Sequence, residues 1–123
     1  MLTLAPLKEK SEIEAIFKEY NFEFNRFSGV LTAFDGSKVI GKSLYYLDNE
    51  KMTVLFIEPL EDIPLADGIL RSTLHIAAER SIMNAFYAET LPESFLKRID
   101  FIKSESEKSL QIDKLFKSCC SCK

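Results

Sequence analysis

The sequence predicts an α+β fold, a mostly antiparallel central sheet flanked by helices. Three observations carry that expectation. Runs of β-branched and aromatic residues at 29–34, 38–47 and 51–57 are separated by Asp35-Gly36-Ser37 and Asp48-Asn49-Glu50. Short runs with turn residues between them read as a meander of neighbouring strands. On either side of this block the apolar residues recur at helical spacing instead, at Ile13, Ile16, Phe17 and Tyr20 and again from Leu65 to Ala77.

Taken in order, a short strand at 2–4 ends at Pro6. A first helix follows near 8–20, with Ser11 and Glu14 spaced as a capping box. Residues 21–26 fit a helical turn or a link equally well. After the three strands, Pro59 and Pro64 bracket a loop, and Pro64 suits the first turn of a second helix. Leu65, Ile69, Thr73 and Ile76, with Ala66 and Ala77 beside them, make its apolar face, and Asp67, Arg71 and His75 line the other side. A strand at 84–89, a short helix at 92–99, an extended piece at 100–103 and a last helix at 109–117 complete the pattern.

With 123 residues, 46% hydrophobic and 28% charged, the chain is expected to be one domain over 1–123, carrying a cysteine-containing tail at about 118–123. A net charge of −3 offers no general attraction to phosphate backbones, which argues against nucleic acid as partner. No apolar run approaches the length of a membrane span. The first residues, MLTLAPLKEK, place charges after the apolar positions, the wrong order for a secretory signal, so a cytoplasmic location is expected. The 10 Phe imply an aromatic core. Phe22 and Phe24 are placed to line a small pocket or a homodimer surface.

The order strand–helix–three strands–helix–strand–helix resembles the GCN5-related N-acetyltransferases, the GNAT fold. The segment ILRSTLHIAAERSIMNAFYAE at 69–89 is similar to that family's cofactor helix, where LL-x-x-L-x-x-A-x-x-x-G is usual. Ile69-Leu70, Thr73 or Leu74, and Ala77 fit, with Ser81 at the glycine. SFLKRIDFI at 94–102 is similar to the late helix and strand written Y-x-x-x-G-F, and Phe101 fits the phenylalanine. The resemblance implies an acetyl-CoA-dependent N-acetyltransferase. Leu65, Ala66, Asp67 and Gly68 would then offer backbone N–H groups to the cofactor, and Glu58 would be a general base at a strand end.

The departures fall where the chemistry would be. The family's Gln/Arg-x-x-Gly-x-Gly/Ala loop needs small residues, free N–H donors and no negative charge around a diphosphate. Here it aligns with Glu61-Asp62-Ile63-Pro64-Leu65-Ala66, in which only Ala66 keeps the pattern. Pro64 removes a donor. Between Glu58 and Arg71, four carboxylates (Glu58, Glu61, Asp62, Asp67) face one cation, a local charge of −3. Each carboxylate would repel a bound diphosphate by roughly 1 kcal/mol at ~4 Å in high dielectric. The tyrosine that serves the family as general acid is Leu96, and Asp100 replaces a glycine.

Three further features have a plain reading beside a chemical one. The acidic loop would supply oxygen ligands to a cation, or is a helix start at which carboxylates suit the dipole. His75, the single histidine, is a surface residue on the polar helix side unless a partner makes it a base. Cys119, Cys120 and Cys122 would bind zinc or another soft metal as thiolates, or act in redox chemistry, or form an inert reduced tail. Together these features lead to the expectation of a GNAT-like protein acting as a small binding or regulatory module for a small molecule or a protein. An acetyltransferase with an atypical loop and a thiol-dependent metal or redox protein are the alternatives.

Overall fold

The computed structural model describes residues 2–99, 101–104 and 108–110. Its strands are β1 (Leu2–Pro6), β2 (Ser28–Asp35), β3 (Lys38–Leu47), β4 (Met52–Glu58), β5 (Ala85–Tyr87), β6 (Ile102–Ser104) and β7 (Ser109–Leu110). The helices are α1 (Lys10–Glu19), α2 (Ile63–Glu79) and α3 (Glu93–Arg98). The strands form one sheet in the order β1-β2-β3-β4-β5-β7-β6. All neighbours are antiparallel except β4 and β5, which run parallel because α2 carries the chain back across the sheet between them.

Each face of the sheet holds its own core. On one side Met52, Val54 and Ile57 of β4 pack with Ile69, Leu70, Leu74 and Ala77 of α2, and with Phe95, Leu96 and Phe101. On the other, Ile13 and Phe17 of α1 cover Val30, Leu44 and Leu55. Phe17 is fully buried there, a contribution of about 1.5–3 kcal/mol. Phe22 and Phe24 meet its ring edge-on at 6.4 and 6.3 Å, so the aromatic pair belongs to this second core.

Both long helices stop in the same way. Asn21 and Ser81 adopt left-handed backbone with φ of 62° and 63°. Phe22 N–H then reaches the Phe17 carbonyl and Ile82 N–H the Ala77 carbonyl, both at 2.9 Å. This is the Schellman arrangement, closed by an apolar residue just past the helix. Inside the larger core, Thr73 donates to the Ile69 carbonyl at 2.7 Å, and its oxygen lies 2.5 Å from Ser43 Oγ of β3. Because the Thr73 proton is already committed, Ser43 is the donor across the helix–sheet interface.

Several sequence expectations shift. The helix start is Lys10, with Glu9 at the cap and no side-chain bond, so Ser11 sits inside the first turn and forms no capping box. Residues 21–26 are a link. The α2 face buries Leu70 and Leu74 while Leu65 and Ile76 remain half-exposed, because the helix sinks into the sheet along a wider stripe than the one read from spacing. The fifth strand is shorter than 84–89, since a turn closes from Leu91 N–H to the Ala88 carbonyl at 3.0 Å. Ser109 and Leu110 are strand, with Ser109 opposite Phe86. The rest of the expected last helix lies outside the described residues.

Candidate functional site

β4 changes phase at Leu55: Tyr45 pairs with Val54, but Leu44 pairs with Phe56. This bulge turns the strand's last residues and matters because β5 pairs only with residues 52–54. The strands part beyond that point. Ala88 N–H still reaches the Val54 carbonyl at 2.9 Å, and Thr90 Oγ1 donates to the Leu55 carbonyl at 2.6 Å. The turn after β5 therefore sits against the bulge, and Leu91 is buried in the main core.

Below this parting, a groove of about 460 Å³ runs between the start of α2 and α3. Leu60, Ile63 and Phe95 make its apolar wall, with Glu61 and Arg98 as its charged groups. At the helix start, Asp62 Oδ1 accepts the Leu65 N–H at 3.3 Å, and the Asp62 carbonyl accepts the Ala66 N–H at 2.9 Å. Pro64 has no N–H to give. The Leu65 and Ala66 N–H groups of the first turn are thus taken by Asp62, an N-cap carboxylate at the positive end of the helix. Asp67 holds Arg71 at 3.1 Å, and Gly68 lies one residue further along the helix.

Glu58 lies at the end of β4 on the α1 side. Its Oε1 accepts the Tyr20 hydroxyl and stands 3.6 Å from Lys42 Nζ. The Tyr20 ring leans on Phe56 at 4.9 Å between centroids and lies under the Lys42 ammonium at 5.4 Å. Burial, and then the bond to Glu58, push the Tyr20 hydroxyl well above its ordinary pKa. Gly41 makes this corner fit, because a Cβ there would meet the Glu58 carbonyl oxygen at 2.7 Å and Ile69 Cδ1 at 2.8 Å. The sequence marked Glu58 but not Tyr20 or Lys42. Tyr20 read only as the last apolar position of the first helix, and nothing local ties it to a strand 38 positions away.

The other candidates separate. Glu58 turns to Tyr20 and Lys42, Asp62 to its own helix, and Asp67 to Arg71. Among the described residues no three His, Cys, Asp or Glu side chains converge to hold a metal ion, so the acidic loop does not form an oxygen cage there. His75 Nε2 lies 3.2 Å from Glu79 with both side chains exposed. Its neighbour is thus the residue one turn ahead rather than Arg71 one turn back. Leu96, at the place of the family's acid, is fully buried in the main core. Cys119, Cys120 and Cys122 lie outside the described residues.

An antiparallel meander joined through one crossover helix to a parallel strand, with a bulge where the two strands part, defines a protein of GNAT acetyltransferase fold. A GNAT family acetyltransferase from Elizabethkingia anophelis with acetyl-CoA bound shares it at TM-score 0.59 and 12% identity, over 85% of this chain and 78% of that one. The putative N-acetyl transferase YhhK from E. coli bound to coenzyme A gives 0.55 and 12%, over 85% and 94%. The AtaT Y144F mutant toxin bound to the C-terminus of the antitoxin AtaR gives 0.58 and 14%, over 94% and 97%. No family model and no curated protein matches the sequence. Among the described residues no helix is long and apolar enough to cross a membrane.

Proposed function

We propose that this chain is a GNAT-fold binding or regulatory module that has given up the usual diphosphate seat for acetyl-CoA. One observation carries the reading: the Asp62 carboxylate caps the turn of α2 whose N–H groups a diphosphate would need. Pro64 at the same turn and Glu61 in the groove wall act in the same direction. Buried Leu96 has no proton to offer a leaving group. The donor set does not suit a diphosphate, and a small molecule or a protein is the expected ligand.

The competing reading is an acetyl-CoA-dependent N-acetyltransferase with an atypical loop. Arg98 in the groove wall favours it as the cation for an anionic group, and Glu58, at the strand end, would take a proton from an amine. Calorimetric titration with acetyl-CoA separates the two. No binding at millimolar ligand is expected of the native chain, whereas micromolar binding overturns the proposal. Removing two repulsive charges of roughly 1 kcal/mol each in a Glu61→Gln, Asp62→Asn variant should raise affinity by about tenfold or more. A variant that binds no better than the native chain removes the electrostatic argument.

A further inference from the structure

The opposite end of the sheet has the reverse electrostatics. A cleft of about 330 Å³ opens where β1 ends, β2 begins and α2 stops, and Lys8, Arg26, Arg80 and Tyr45 line it. It joins a second depression of about 270 Å³ through Ile13, Arg26 and Ser28, where Lys10 adds a further cation. Neither is lined by any Asp or Glu, in a chain whose net charge is −3. Among the described residues none of Lys8, Lys10, Arg26 and Arg80 takes part in an ion pair. Arg80 has a reason of its own to be there, since cations suit a helix C-terminus. Arg26 also lies over the Phe27 ring at 4.9 Å, and only Lys8 of the three has no such reason among the described residues.

Tyr45 is the second, independent observation. Its side chain is only 6% exposed, it lines the cleft, and its hydroxyl has no hydrogen-bond partner among the described residues. The hydroxyl oxygen itself keeps some exposed surface, so its proton is open to a ligand in the cleft. The ring lies across Gly29, its partner on β2, where a Cβ would stand 2.5 Å from ring carbons and 2.7 Å from the hydroxyl. Glycine is therefore what permits the ring to lie flat there. Burial pushes this hydroxyl up in pKa, and the nearby Arg80 guanidinium pulls it back.

The geometry points to a binding site in this cleft for a small organic anion, a phosphate or carboxylate on an apolar or aromatic body. Arg26, Arg80 and Lys8 would hold the charge, the Tyr45 hydroxyl would donate to it, and Ile13, Leu47 and Ile76 would cover the body. Cation forks and a phenol are suited to oxyanions, and the volume is that of a small-molecule pocket. The site is remote from the α2 groove and independent of whether acetyl-CoA binds there.

The test is amide NMR on the full chain, titrated at low salt with phenyl phosphate, inorganic phosphate, phenylacetate and a glutamate-rich peptide. Saturable shifts at Ser28, Gly29, Ile76 and Arg80 with the aromatic anions are expected. An Arg26→Gln, Arg80→Gln variant should weaken them by about tenfold or more, and a Lys38→Gln control should leave them unchanged. Both arginines are exposed, so the variant keeps its fold, which circular dichroism verifies. Phenyl phosphate against phenylacetate separates phosphate from carboxylate. No shift by about 10 mM overturns the assignment, as does equal affinity in the variant. A peptide that binds where the small anions do not, or shifts centred on residues 61–66, would also overturn it.

Discussion

Replacing Thr73 by valine tests the Ser43–Thr73 hydroxyl pair that ties α2 to the sheet. Both Ser43 and Thr73 are fully buried, and valine has the shape and branching of threonine, so no cavity opens and helix propensity barely changes. The Ile69 carbonyl keeps its helical N–H partner. What changes is Ser43: its oxygen lies 2.5 Å from Thr73 Oγ1 in the native chain, and in the variant its proton is left inside the core with nothing to accept it. A buried donor without a partner costs about 1–3 kcal/mol, roughly 4–12 °C in Tm for a chain of this size. Removing both hydroxyls in Ser43→Ala, Thr73→Val leaves an apolar contact with a small gap, expected within about 1 kcal/mol of native. Urea unfolding followed by circular dichroism gives both values, and with Ser43→Ala measured alone they complete the cycle that yields the coupling. If Thr73→Val alone were no less stable than the double variant, the donor assignment would be wrong.

Two further outcomes follow from the same kind of reasoning. The Tyr20 hydroxyl is raised in the folded state by burial and by Glu58, so the native chain holds that proton more tightly than the unfolded one. Its stabilisation is complete below the unfolded value of about 10 and is lost as pH rises above it. Tyr20→Phe should therefore lose less urea resistance than native between pH 9 and pH 11, and equal losses would count against the bond. Ser81 sits at φ 63°, which a side chain tolerates poorly. Ser81→Gly should raise stability by about 0.5–1 kcal/mol after the entropy of the freer unfolded chain is subtracted, seen as a higher Tm. A lower Tm would mean that serine is not strained there.

Some of the site was readable before any coordinates. Ser81 was aligned with a position where the resembled family carries glycine, and its left-handed backbone gives that likeness a physical basis. Pro64 and the carboxylates of the loop likewise marked a helix start, and Asp62 does cap it by taking the Leu65 N–H. Tyr20 and Lys42 were not marked, nor were the Leu55 bulge and its Thr90 partner. Those depend on contacts between segments far apart in the chain, and neither bulge nor partner leaves a local pattern. Ser109 illustrates the same limit from the other side. The stretch SLQIDKLFK has helical spacing, yet pairing with Phe86 makes its first residues strand, as tertiary context overrides weak local preference.

The sequence by itself determined the elements whose causes are local: turn residues that bound β3 at Lys38–Leu47, spacing that set the buried face of α1, and a proline that opens α2. Interactions between residues one to four positions apart are enough for these. Only the tertiary structure decided which charges meet. Acidic residues that lie close together in sequence disperse to separate partners, while Lys8, Arg26 and Arg80, far apart in sequence, line one cleft with Tyr45. Side-chain direction is set by pleat, helix phase and strand register acting together, and a shift of one residue in any of them would point those groups elsewhere.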